Sequence, residues 1–305
     1  MTWDQQGAVV RAVLLSVAFS LAFGASAALA QSKPGPGPGP QGAEEGDLRR
    51  QVWLIPSPEP GVLMRATLLR PRGAGPFPLA VVNHGSTQSA QRRAAMPLPS
   101  YEELSRWLVE RGYVVVLPQR PGHGATGGAY LENQGGCATA DYRKAGLGAA
   151  ASIAAAVGYM TKQKFVRPTG VVIAGQSAGG WGAIAFASRV PRGVKAVISF
   201  SGGRGGRSYD KPNNNCAPDR LIAAARRFGT TARIPTLWLY SANDSYFAPS
   251  LSKRMADEFR AAGGRAEYHL LPAYGAEGHR FVEAPESMLA WGPIVRDFLA
   301  KTGKH

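Results

Sequence analysis

The sequence predicts an α/β fold in which a largely parallel sheet is covered by helices on both faces. Two observations carry this. From residue 50 onward, apolar runs of strand length alternate with segments of helical period, the order that builds parallel sheets. Several of these runs, Val171 to Ala174 among them, are apolar throughout, as strands buried on two faces are.

The elements follow in chain order. Arg11 precedes an uncharged apolar run from Ala12 to Phe23, and small residues end in Ala28, Leu29 and Ala30. This is the pattern of a secretory signal peptide over 1–30, cleaved after Ala30. An uncleaved anchor is the alternative, disfavoured because the apolar core is short for a spanning helix. Residues 31–47, with alternating Pro and Gly, predict a mobile linker. The folded domain is expected over 48–305. It would be exported, periplasmic or secreted, without stable membrane insertion once the leader is removed.

Eight strands are predicted: Gln51 to Ile55, Leu63 to Leu69, Leu79 to Asn83, Val114 to Pro118, Val171 to Ala174, Ala196 to Phe200, Thr236 to Tyr240 and Ala266 to Leu271. The first two have no helix between them, and "IPSPEPG" supplies a turn, so they form an antiparallel pair. In "SYEELSRWLVERG", Ser100 is positioned to cap a helix, Glu103 follows three residues on and Gly112 closes it. Leu104, Trp107 and Leu108 recur at helical spacing and should face the sheet. Further helices are expected over 142–161, 181–188, 252–262 and 287–301.

The net charge of +15 belongs to the exported chain, because the leader carries one base, Arg11, and one acid, Asp4. The basic residues are scattered, without the clustered helix or aromatic interleaving of nucleic-acid binders, so no nucleic-acid partner is expected. Cys137 and Cys216 both fall in Gly/Asn-rich loops, and in an exported chain a disulfide between them is expected, with two unpaired thiols as the alternative; their spacing offers no metal site.

The chemistry centres on "VVIAGQSAGGWGAI", Val171 to Ile184. Ser177 lies at Gly-Gln-Ser-Ala-Gly, directly after a strand and directly before a helix-competent segment. A strand that turns sharply into a helix lifts the turn's side chain above the sheet edge, and glycines two residues either side avoid clashes. A serine hydroxyl needs a base and an orienting carboxylate to act as a nucleophile. Of five histidines, His279 in "YGAEGHRF" lies between the last strand and the last helix, where it can approach the strand ends. His269 is a sheet residue, His305 is terminal, His84 shapes the loop "NHGS", and His123 lies in "RPGHG". Asp244 ends the strand "LWLYSAND", with Glu277 as the weaker candidate acid. The oxyanion donors expected are the N–H of Ala178 and one from Gly85 or Ser86.

With "NHG", "RPGHG", "GQSAGG", "ND" and "GHRF" in this order, the chain resembles the α/β-hydrolase superfamily from Gln51 to Lys301, and within it the dienelactone-hydrolase-like esterases. The resemblance implies an α/β-hydrolase fold of about eight strands and a Ser177, Asp244, His279 triad. Dienelactone hydrolase proper uses a cysteine nucleophile, and position 177 is serine, so the resemblance implies a serine esterase rather than that substrate. "SGGRGGRSYDKPNNNCAPDR" is too short for a large cap domain and implies an accessible cleft bordered by the two cysteine loops.

The expected function is that of an exported serine hydrolase acting on a small-molecule carboxylic ester through an acyl-enzyme, with no cofactor and no metal. The alternatives are a prolyl-oligopeptidase-like peptidase or an acyltransferase on the same fold, and a non-catalytic binding protein. The sequence offers no additional domain of the kind that restricts peptide access, and a binding protein would not need all three triad residues. Arg204, Arg207 and Arg220 permit an anionic substrate, although a solubilising surface explains them more simply. Trp181 and Tyr246 are candidate pocket residues, although large aromatics near a sheet edge more often serve packing.

Overall fold

A computed structural model describes residues 36–302. The predicted leader, its cleavage site and His305 lie outside the described residues. Nine strands form one sheet, in the order β1-β2-β3-β5-β4-β6-β7-β8-β9. They are β1 (Gly39–Glu45), β2 (Arg50–Pro56), β3 (Leu63–Leu69), β4 (Leu79–Asn83), β5 (Val114–Pro118), β6 (Val171–Gln176), β7 (Val194–Phe200), β8 (Thr236–Ser241) and β9 (Ala266–Leu271). β1 and β3 each run antiparallel to β2, β3 is antiparallel to β5, and every neighbouring pair from β5 to β9 is parallel.

All eight expected strands are present. The ninth, β1, corrects the linker reading: residues 39–45 pair with β2 instead of trailing as a mobile tether. Pro40 is tolerated because this is an edge strand, where a missing N–H costs no ladder bond. Glu44 then anchors the strand by accepting from Arg49 at 2.5 Å and pairing with Arg70.

The helices are α1 (Ala90–Ala94), α2 (Glu102–Val109), α3 (Tyr142–Met160), α4 (Ala178–Ala187), α5 (Pro218–Gly229), α6 (Pro249–Ala261) and α7 (Met288–Lys301). Successive residues of the central strands face opposite sides. Val81, Val116 and Ile173 pack with α3, α4, α5 and α6, while Ala80, Val115 and Val172 pack with α2 and α7. Leu104, Trp107 and Leu108 of α2 are buried on the second side, as their spacing predicts. Ser100 does not cap this helix: Tyr101 occupies the cap position with φ 43°, and no side chain caps it. Trp181 is fully buried in the core rather than lining a pocket, its Nε1–H donating to the Tyr142 carbonyl at 2.8 Å. No helix among the described residues is long and apolar enough to cross a membrane.

Candidate active site

One residue, Ser177, separates β6 from α4. Turning from strand to helix in so short a span forces φ 53° and ψ −121° on it, a region that costs a non-glycine residue about 1–3 kcal/mol. The turn is held in place on both sides. The Ser177 N–H donates to Phe200 at 3.0 Å, and its carbonyl accepts from Trp181 at 2.9 Å and Gly203 at 3.2 Å. The flanking glycines are a packing demand: a Cβ on Gly175 would strike the Gly179 carbonyl, and one on Gly179 would strike the carbonyls of Asn83 and His84. The hydroxyl is left half-buried at the C-terminal edge of the sheet, where open α/β sheets collect ligands.

Asp244 follows β8 and is buried. Its Oδ1 accepts the N–H groups of Tyr246 at 2.9 Å and Phe247 at 3.0 Å, which fixes the carboxylate. His279 comes from the segment between β9 and α7, and its Nδ1 lies 3.1 and 3.2 Å from the two carboxylate oxygens. An imidazole nitrogen facing a carboxylate carries the proton, which leaves Nε2 as the acceptor. Tyr246 stacks on the imidazole with centroids 4.0 Å apart, and Phe247 packs against it at 5.4 Å. Ser177 and His279 line the same cavity of about 480 Å³. No hydrogen bond joins their side chains among the described residues; such contacts commonly tighten only when substrate is bound.

Glu277 has a place here that the sequence reading missed. It is not the acid beside the imidazole. Its Oε1 accepts the backbone N–H groups of Ser245 at 3.1 Å and His279 at 2.9 Å, and its Oε2 accepts the Ser245 hydroxyl and Arg207 at 3.4 Å. One carboxylate therefore ties the loop of Asp244 to the loop of His279. Its position two residues before the histidine, within reach of its own loop's backbone, was the available signal. Gln176 adds a second tie, donating to the His279 carbonyl at 3.1 Å.

The oxyanion candidates are separated by their partners. Ala178 opens α4, so its N–H has no intrahelical acceptor. The Gly85 N–H is already donated to Tyr101 Oη at 3.2 Å, which corrects the expectation that it was equally available. The Ser86 N–H has no backbone acceptor among the described residues, and Ser86, Ala178 and Ser177 line one cavity.

The Ser86 hydroxyl is occupied elsewhere. His123 Nδ1 faces the carbonyls of Arg120 and Pro121, each at 3.1 Å, so it carries the proton. Nε2 must then accept from Ser86 Oγ at 2.7 Å. Tyr130 lies 3.2 Å from the same oxygen and itself accepts from Arg204 at 2.6 Å. A directed chain thus runs from Arg204 through Tyr130 and Ser86 to His123. Burial pushes the His123 imidazole down to about 4, with Arg120 adding to the shift. Burial, Arg120 and His123 together hold His84 well below its usual range. Neutral His84 shapes its loop, as expected, accepting the Arg120 N–H at 3.1 Å. Beneath them, Glu132 is bracketed by Arg120 at 2.5 Å and Arg204 at 3.0 Å. Burial opposes its ionisation, but the neighbouring positive groups prevail and lower the carboxyl to about 2.

Cys137 and Cys216 form a disulfide, and both border the cavity that contains Ser177 and Ala178. Of the three arginines singled out, Arg204 and Arg207 line this cavity, whereas Arg220 is exposed on α5. His269 remains a sheet residue, hydrogen-bonded to Glu267 at 2.7 Å.

A mostly parallel sheet with a strained serine at a strand-to-helix elbow, and a His–Asp pair on the loops after β8 and β9, defines an α/β hydrolase. The dienelactone hydrolase family profile matches residues 95–291. The chain belongs to that family and is a hydrolase. Solved structures with this fold include a Klebsiella pneumoniae protein assigned as a dienelactone hydrolase, 18% identical, covering 81% of this chain and 97% of its own, with a TM-score of 0.53. A Pyrococcus furiosus esterase is 14% identical and covers 87% of this chain and 98% of its own, with a TM-score of 0.59. An acylaminoacyl peptidase of Pyrococcus horikoshii is 14% identical over 84% of this chain, with a TM-score of 0.60, and the match spans 42% of that longer protein. At these identities the likeness establishes the fold. No curated protein matches the chain.

Proposed function

We propose that this protein is an exported serine hydrolase that cleaves carboxylic esters through an acyl-enzyme, with Ser177 as nucleophile, His279 as base and Asp244 as its orienting acid. The single observation that carries the reading is the His279 Nδ1 contact to the buried Asp244 carboxylate, in a cavity shared with the strained Ser177. Asp244 fixes the tautomer, so that Nε2 takes the Ser177 proton as the hydroxyl attacks the ester carbonyl. The N–H groups of Ala178 and Ser86 receive the oxyanion, and His279 then passes the proton to the departing alcohol. Water repeats the sequence on the acyl-enzyme. Export rests on the leader over 1–30 with cleavage after Ala30, and the disulfide supports an oxidising compartment.

The test is a short-chain p-nitrophenyl ester assay with a fluorophosphonate label on the mature chain and on Ser177→Ala. The wild type should label and turn over. Ser177→Ala should not label and should lose at least about a thousandfold in kcat. Unchanged hydrolysis in Ser177→Ala would overturn the proposal, and preferred turnover of peptide anilides would move the activity to the peptidases.

A further inference from the structure

Two cavities meet at Ser177, and their linings differ. The first, about 480 Å³, contains His279 and is walled by Met96, Pro97, Leu98 and Pro99. Its charged rim side chains, Arg280 and Glu283, are paired with each other. The second, about 420 Å³, contains Ala178 but not His279. Arg92, Arg204 and Arg207 border it, against the single acid Asp210. Arg207 is shared with Glu277. Arg204 shares Glu132 with Arg120, which leaves that buried cluster one positive charge in surplus. Arg92 is exposed and has no ion pair among the described residues. Ser86, Ser177 and Tyr246 border both cavities.

The chemistry decides which half of an ester goes where. When the tetrahedral intermediate collapses, the C–O bond to the alcohol breaks and the proton held on His279 moves to the alcohol oxygen. The alcohol must therefore lie on the His279 side. The acyl chain, attached to the carbon whose oxyanion faces Ala178 and Ser86, extends the other way. Resting on the esterase reading above, we propose that the two cavities sort the ester. The acyl group carries a negative charge at its far end and occupies the arginine-lined cavity beside Arg92, while an apolar alcohol leaves through the cavity of Met96, Leu98 and Pro99. The substrate class is a half-ester of a dicarboxylic acid with an apolar alcohol.

The assignment is tested with esters matched in length. 1-Naphthyl hydrogen adipate and 1-naphthyl hexanoate differ only in a terminal carboxylate in place of a methyl group, and 5-carboxy-1-naphthyl hexanoate moves the charge to the alcohol while keeping the naphthyl ring. The adipate should exceed both others in kcat/KM by about tenfold. Arg92→Gln should reduce the adipate-to-hexanoate ratio by about fivefold, the size of an exposed guanidinium–carboxylate contact. Fluorophosphonate labelling of Ser177 is run alongside. Preference for the hexanoate or for the carboxynaphthyl ester, a ratio unmoved in Arg92→Gln, or turnover of none of the three by an enzyme that labels would each overturn the sorting while leaving the nucleophile in place. Absence of labelling, with turnover surviving in Ser177→Ala, would instead bring down the esterase reading itself.

Discussion

At the scale of single residues, the candidate site divides into groups the sequence announces and groups it hides. Ser177 was legible because its glycines and flanking elements are consecutive. Asp244 and His279 were legible because each follows a strand predicted from its apolar run. Glu277 was visible as a carboxylate, but its job was not, since only the folded chain brings the Ser245 and His279 N–H groups to one carboxylate. The choice between Gly85 and Ser86 was likewise invisible, because it turns on the Tyr101 hydroxyl, sixteen residues away from Gly85. The clamp by Glu277 carries a prediction. Glu277→Gln keeps the size of the side chain but discards the charge shared with Arg207 and places an amide against the Ser245 hydroxyl. The Asp244 and His279 loops should lose register, and kcat should fall by about tenfold to a hundredfold with KM little changed. Steady-state kinetics on a short-chain ester check this, and an unaltered kcat would mean that the loops hold their register without the clamp.

At the scale of elements, all eight expected strands and five expected helices are found, some by a local period and others, such as β4, β5, β6 and α4, as short runs buried on every side. Two misreadings have physical causes. Residues 39–45 look like a coil, since glycine and proline weaken any strand prediction, yet an edge position asks for only one side of ladder bonds. Helix α5 is absent from the expected helices although it carries its own signals: Pro218 in the first turn, and Leu221, Ile222, Ala225 and Phe228 buried along one side. Its start depends on Ala217 taking φ 50°, which composition does not reveal. The disulfide just before this helix joins two loops 79 residues apart in sequence. Closing a loop of that length restricts the unfolded chain by roughly 4 kcal/mol. The double variant Cys137→Ser, Cys216→Ser should therefore unfold at markedly lower urea concentration than the oxidised wild type. Equal midpoints would show that the bridge adds nothing to stability. Because both cysteines border the cavity beside Ser177, the variant should also be slower on the longer acyl chains.

At the scale of the whole molecule, the two-sided sheet was readable from composition and alternation, whereas the buried ionic cluster under the site was not. Arg120 and Glu132 stand twelve residues apart in the connection between β5 and α3, Arg204 follows β7, and nothing local marks them as partners. This cluster and the two neutral histidines above it make stability depend on pH. His123 sits at about 4 in the fold against an ordinary 6.5. As pH falls below about 6.5 the unfolded chain takes up a proton that the folded chain refuses, and stability is lost until the pH nears 4. Between pH 7 and pH 5 this amounts to about 2 kcal/mol from His123 alone, with His84 acting in the same direction. Glu132, lowered to about 2 from 4.5, contributes stability that persists above pH 4.5 and disappears as pH falls toward 2. Urea unfolding at pH 7 and pH 5 should show the loss, and equal free energies would mean that the imidazoles charge freely in the fold. The short segment between β7 and α5 has a different consequence. Tied down at Cys216 and carrying no bulky insertion, it sets no large cap beside Ser177. The chain's net charge of +15 should draw anionic molecules toward it, an attraction that added salt weakens.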